Sequence, residues 1–146
     1  MTRRRCQTDR HLAAAFCKNA RSFHAMARSQ RDRHGGASPY YLAIAIELGL
    51  KAYLLHRGIT DQWNRDHLRH DLSKALKCVR RAGLKDIPDG ISELADLLGP
   101  LYASGALSRG IASPVMPLPP PAADQVIADL LATVETVIAD GERGGG

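Results

Sequence analysis

The sequence has few aromatic residues and no segment with the alternating polar and apolar pattern of a half-buried strand. Aromatic side chains make up 5% of its 146 residues, and Ala and Leu dominate the apolar ones. Strands favour aromatic and β-branched residues, whereas Ala and Leu favour helices. The composition therefore argues against a β-rich protein and predicts an all-α fold. The length suits a single domain with one core.

Cysteine is also scarce. The chain has three cysteines, none of them in a C-x-x-C pair: Cys6, Cys17 and Cys78. An odd number without metal-ligand spacing argues against a disulfide framework and is typical of a reducing cytoplasm. His67, His70 and Asp71 lie close together in sequence, but no further carboxylate or thiolate is spaced to complete a metal site. We expect neither a metal nor a cofactor.

Long hydrophobic runs are missing as well. The longest apolar stretch is shorter than the ~20 residues that cross a bilayer, and it contains Glu47 and Lys51. The apolar run behind the basic N-terminus, residues 12–17, is too short for a signal peptide. We therefore expect a soluble cytoplasmic protein without membrane insertion.

Acidic side chains are fewer than basic ones. The chain has 15 acidic and 20 basic side chains, excluding histidine, which gives a net charge of +5. Much of the basic charge lies in residues 3–10 and 28–33. A basic balance permits binding to RNA, a nucleotide or another polyanion, but such runs are more often the solvated face of a helix. Composition therefore leaves a nucleic-acid partner open.

One segment, from Ser38 to Gly58, organises the chain. Ser38, followed by proline, suits the start of a helix, and Gly58 suits the left-handed residue that closes one. The residues between are apolar on almost every face, which is typical of a helix surrounded by other helices. Glu47 and Lys51 interrupt this surface one turn apart, so they share a face and can pair.

Helical periodicity continues on both sides of this segment. We expect an amphipathic helix from about Thr8 to a Gly-Gly turn at 35–36, whose shortness predicts an antiparallel hairpin with the central helix. The polar segment 59–70 is expected to hold an irregular or short helical turn. Gly99-Pro100 should kink or end the fourth helix. Three further helices are expected at about 71–82, 89–101 and 122–140.

The most irregular stretch is the proline-rich loop that precedes the last helix. Its prolines cannot occupy a helix interior, so we expect a loop pinned to the bundle by Val115, Met116 and Leu118. Pro117 and Pro120 have P-x-x-P spacing, so the alternative role of residues 114–121 is that of a proline-rich ligand.

These elements together predict a five-helix up-down bundle with one long Pro-rich loop between helices 4 and 5. The predicted domain covers residues 8–140. Residues 1–7 are expected to form a flexible basic tail, and residues 141–146 a disordered one. Three tyrosines are expected in the core or in a dimer interface: Tyr40, Tyr41 and Tyr53.

Three motifs occur in a recognisable order. The central helix carries Glu47 and Lys51 as E-x-x-x-K, the next predicted helix opens with His70-Asp71-Leu72, and Arg109 precedes a Met-Pro-Leu-Pro stretch. This order resembles HEPN-type helical domains over roughly residues 10–140. The resemblance implies an all-α bundle and a homodimer. The H-D-L motif implies a bacterial member without a catalytic site.

The polar residues of these motifs form a candidate cluster of Glu47, Lys51, His70, Asp71 and Arg109. Charges on a nearly buried helix need partners. We expect the start of the third helix to pack against the face that carries the E-x-x-x-K pair. Such a cluster is either a structural brace between helices or the floor of a groove for RNA or a nucleotide.

Some HEPN proteins are metal-independent ribonucleases with an R-x(4–6)-H motif, and Arg65 with His70 satisfies it. The resemblance would make His70 the general base and Arg65 the group that stabilises phosphate charge. Other Arg–His pairs, including Arg5 with His11 and Arg28 with His34, also fit this motif, so the match is not specific. An acidic residue, Asp66, also follows Arg65 where phosphate would approach.

The sequence thus favours a non-catalytic HEPN-like binding or interaction module that self-associates. The first alternative is a metal-independent HEPN ribonuclease of toxin or defence type, using Arg65 and His70 in a site shared across a dimer. The second is an RNA- or nucleotide-binding module without cleavage. A nucleotidyltransferase is a further candidate partner.

Overall fold

The computed structural model describes residues 2–34, 38–112 and 114–144, with side chains described within 9–30, 39–112 and 114–141. These residues form helices and loops and contain no strand, which confirms the all-α prediction. The helices are α1 (Thr2–His34), α2 (Ser38–His56), α3 (Asp61–His67), α4 (Leu72–Arg81), α5 (Ile91–Ala103) and α6 (Pro120–Gly144).

The described chain has six helices rather than the predicted five. The additional one is α3, which lies in the polar segment where a short helical turn was one of two expectations. It forms because the hydroxyl of Thr60 accepts a hydrogen bond from the Trp63 N–H at 3.0 Å and so caps its first turn. The carboxylate of Asp9 accepts another from the Asp61 N–H at 3.2 Å.

Helix bounds also differ from the predicted ones. The first helix begins at Thr2, so residues 2–7, predicted as a tail, continue it. The last helix extends to Gly144 rather than ending near 140. The predicted turn at 35–36 lies outside the described residues.

The central helix, α2, packs against α1, α4, α5 and α6. Its apolar residues Ile46, Leu50 and Leu54 are fully buried. Helix α1 runs antiparallel to it, since Phe23 stacks on Tyr41 near the start of α2 whereas Asp9 bonds to the chain just beyond its end. The predicted hairpin geometry is therefore present.

The loop between α5 and α6 turns at residues 104–110 and then extends along the bundle. Leu118 lies against the start of α5, where a Cβ at Gly90 would be 3.0 Å from Leu118 Cδ1. Leu118 and Met116 pack on the core, as predicted. Val115 does not, because it is 91% exposed.

Candidate functional site

Glu47 is the centre of a polar cluster inside the bundle. Glu47 is 6% exposed, and Lys51, one helical turn later, is 8% exposed. Glu47 Oε1 accepts a hydrogen bond from the Tyr102 hydroxyl at 2.9 Å, and Oε2 accepts one from His70 Nδ1 at 2.8 Å. Lys51 Nζ lies 3.5 Å from Oε2. Both carboxylate oxygens therefore have partners, which come from α2, α5 and the connection before α4.

Lys51 also holds the chain between α3 and α4. Its ammonium donates a hydrogen bond to the backbone carbonyl of Arg69 at 2.9 Å. Arg69 has φ of 49°, a left-handed conformation that is unfavourable for a residue with a side chain. The bond fixes this turn, so the next residue, His70, points its Nδ1 at Glu47.

Tyr102 serves as a fixed hydrogen-bond donor. Burial raises the pKa of its hydroxyl well above the ordinary value, and the nearby Glu47 charge raises it further. The phenol therefore stays protonated at any physiological pH and donates to Glu47. Its ring also contacts the His70 ring, with centroids 4.6 Å apart.

His70 is the part of the cluster that reaches solvent. Its side chain is 54% exposed, whereas that of Glu47 is 8% exposed. The bond at Nδ1 leaves Nε2 without a hydrogen-bond partner among the described residues. A carboxylate that orients an imidazole in this way fixes its tautomer, with the proton on Nδ1 and an acceptor lone pair on Nε2.

The other three predicted site residues lie elsewhere. Asp71 caps α4 by accepting the Lys74 N–H at 3.0 Å, so it has a structural role outside the cluster. Arg109 donates hydrogen bonds to the carbonyls of Ser104 and Gly105 in its own loop. The exposed Arg65 pairs with Asp61 at 3.4 Å within α3, and no hydrogen bond or ion pair joins it to His70 among the described residues.

A second polar cluster joins α1 to the first turns of α6. His24 Nε2 lies 3.2 Å from Asp124 Oδ1, and Arg28 Nε lies 3.9 Å from Asp124 Oδ2. Together they line a cleft of about 530 Å³ beside Pro120 and Gln125. Burial lowers the pKa of His24 below its ordinary value of 6.5, although the hydrogen bond to Asp124 opposes the shift. Sequence reasoning did not select this cluster.

This pKa predicts a pH dependence of stability. The unfolded chain takes up a proton at His24 near pH 6.5, before the folded chain does, so the contribution of neutral His24 is complete well above pH 6.5 and is lost as pH falls below it. Urea denaturation between pH 8 and 5.5 should show a steeper loss for the native chain than for His24→Gln, by up to about 1.4 kcal/mol per pH unit. Parallel curves would contradict the assignment.

Neither cluster resembles a metal centre. Within the described residues, no three His, Cys, Asp or Glu side chains come together so that they could hold a metal ion. None of the described helices combines the length and apolar character needed to cross a membrane.

Burial raises the pKa of the Cys17 thiol to about 12, with a contribution from Glu135, so this cysteine is an inert core residue.

Comparison with known proteins gives no relative. No protein-family model matches the chain, no curated protein matches its sequence, and no solved structure matches its fold.

Proposed function

We propose that this chain is a non-catalytic HEPN-like helical module of the cytoplasm, which binds or interacts with a partner and associates with itself as a homodimer. The observation that carries the non-catalytic part is that both carboxylate oxygens of Glu47 already have partners within the protein. The motif order in the sequence supports the family, and the all-α architecture is compatible with it.

The cluster has the properties of a structural brace. A buried carboxylate is stable only when its charge is paired and its lone pairs are used, and Glu47 meets both conditions through Lys51, Tyr102 and His70. These contacts connect three separate parts of the chain. A binding site for phosphate would instead expose cations toward the ligand, whereas Lys51 is buried and turned to the protein.

One observation favours the ribonuclease alternative. His70 is half-exposed and its Nδ1 is held by a buried carboxylate, an arrangement that prepares Nε2 to accept a proton. The second required group is not in place, because Arg65 pairs with Asp61. The cluster of one protomer thus supplies an oriented base without the cation that the reaction needs.

Incubation with RNA in EDTA distinguishes the two. We expect no cleavage by the native chain, because Arg65 pairs with Asp61 and is not bonded to the oriented base. Gel electrophoresis of labelled RNA measures cleavage. Nuclease activity that disappears in His70→Ala but persists in His67→Ala, with unchanged circular dichroism, would overturn the proposal. His67 is the matched control because it is an exposed histidine three residues away whose ring contacts Trp63 instead of the cluster. A salt-dependent RNA shift without cleavage would favour the RNA- or nucleotide-binding alternative.

A further inference from the structure

Residues 114–119, which we call the strap, carry an exposed apolar ridge. Their exposure alternates: Val115, Pro117 and Pro119 face solvent, whereas Met116 and Leu118 are partly buried on the core. Val115 is 91% exposed, more than any other large apolar side chain of the described residues. The inward residues hold the strap in place, so little further chain entropy would be lost if its outer face bound a partner.

The chemistry of the strap limits the kind of surface it can bind. Three of its six residues are prolines, which lack the N–H needed to extend a sheet. Pairing with an edge strand is therefore excluded as its main mode. Extended proline-rich segments bind instead to surfaces formed by aromatic rings, between which the proline rings pack.

The same chain provides such a surface. The rings of Phe23, Tyr41, Tyr40 and Tyr102 follow one another, with successive centroids 6.1, 5.6 and 6.1 Å apart. We call this row the tyrosine band. It crosses from α1 over the start of α2 to the end of α5, and Phe23, Tyr40 and Tyr41 are only partly buried. Tyrosine is enriched in protein interfaces because its ring is large and rigid and its hydroxyl is polar.

We propose that the strap of one protomer docks on the tyrosine band of a second copy of this chain. The inference depends on the self-association in the proposed function and names the surfaces that carry it. Val115 and Pro117 would pack on the rings of Tyr40 and Tyr41. This contact covers the most exposed apolar side chain of the described residues and the partly exposed rings of Tyr40 and Tyr41.

The size of the contact requires it to occur twice. Stable interfaces bury about 800 Å² on each partner, more than a strap of six residues supplies alone. A two-fold dimer solves this, because each protomer then gives its strap to the other and receives one in return. The interaction is therefore expected as a closed dimer and not as a chain of protomers.

The test measures dimer dissociation by sedimentation velocity. The native chain should be a dimer at tens of micromolar, and Val115→Asp should raise the dissociation constant at least tenfold by placing a charge against the rings. Ile111→Asp is the matched control, since Ile111 is an exposed apolar residue of the same loop but lies outside the strap; its constant should stay within twofold. Because Val115 makes no core contact, its replacement should leave the thermal midpoint of dilute protein unchanged.

A mixing experiment tests the band itself. Tyr41→Ser should also weaken the dimer, and an equal mixture of Tyr41→Ser with Val115→Asp should contain a heterodimer with one intact strap–band contact, tighter than either homodimer. A native dimer insensitive to Val115→Asp, or equally sensitive to Ile111→Asp, overturns this contact while leaving self-association intact. A native chain that stays monomeric at this concentration overturns both.

Discussion

Replacing Glu47 with alanine is expected to lower the free energy of unfolding by about 3–5 kcal/mol, the cost of removing one partner from a buried ion pair. The substitution leaves Lys51 buried without its carboxylate and removes the acceptor of the Tyr102 hydroxyl. It also releases His70, whose own contribution is smaller because its side chain is half-exposed. Urea denaturation followed by far-UV circular dichroism at pH 7 measures the loss.

The matched control removes the three buried polar side chains of the cluster at once. A triple variant, Glu47→Leu with Lys51→Met and Tyr102→Phe, leaves no buried charge and no buried hydroxyl without a partner. Apolar replacements of buried ion pairs are often neutral or stabilising. The triple variant should therefore be more stable than Glu47→Ala, although it carries three substitutions.

The sign of the Glu47→Ala effect decides between brace and binding groove. Where a protein keeps charged residues for a ligand at the expense of stability, removing them stabilises the fold. A gain in stability, or a loss below about 1 kcal/mol, would therefore contradict the brace and favour a groove for a ligand. A loss of the expected size would show that Lys51 and Tyr102 depend on the Glu47 carboxylate inside the fold, as the brace requires.

Part of this cluster follows from sequence because its residues have local signals. Glu47 and Lys51 are four apart on an otherwise apolar helix, and that spacing on a buried face requires a partner. His70 lies at the start of the next predicted helix, close enough to supply one. The sequence pattern also predicts Asp71 in this group, but in the structure its carboxylate accepts the Lys74 N–H at the start of α4.

Tyr102 was missed for a physical reason. The sequence predicts that Gly99-Pro100 kinks or ends the fourth helix, which places the tyrosine beyond its inner face. In the structure α5 continues to Ala103 with Pro100 inside it. Leu98 and Tyr102 are both buried one turn apart, and their packing outweighs the ~3 kcal/mol that proline costs a helix interior. Tertiary packing of this kind has no local signal.

Contacts between distant segments were beyond sequence reasoning altogether. His24 and Asp124 are a hundred residues apart, and each alone matches an ordinary helix residue. Arg65 satisfies a catalytic spacing with His70, yet its nearest opposite charge lies four residues away on its own helix. Spacing in sequence therefore indicated which residues carry chemistry but did not determine which of them meet.

The close approach of α2 to α6 predicts a substitution whose effect reverses with its background. Gly49 and Leu131 are buried, and a methyl group added to Gly49 would lie 2.6 Å from Leu131 Cδ2. Leu131→Ala alone should lower the free energy of unfolding by about 3–5 kcal/mol, because it leaves a cavity in a close-packed core. Gly49→Ala alone adds overpacking of about 1–3 kcal/mol, offset in part by ~1 kcal/mol of better helix propensity.

In the Leu131→Ala chain the clash is gone, so Gly49→Ala should instead stabilise by about 1 kcal/mol or more, since helix propensity and cavity filling now act together. Urea denaturation of the four chains gives the coupling energy directly. Gly99→Ala is the matched control: Gly99 is also buried in a helix, but its added Cβ would meet its nearest neighbour, the Leu72 nitrogen, at an ordinary 3.5 Å. Its effect should be the same with and without Leu131. Equal effects of Gly49→Ala in both backgrounds would mean that α2 and α6 do not meet at this pair.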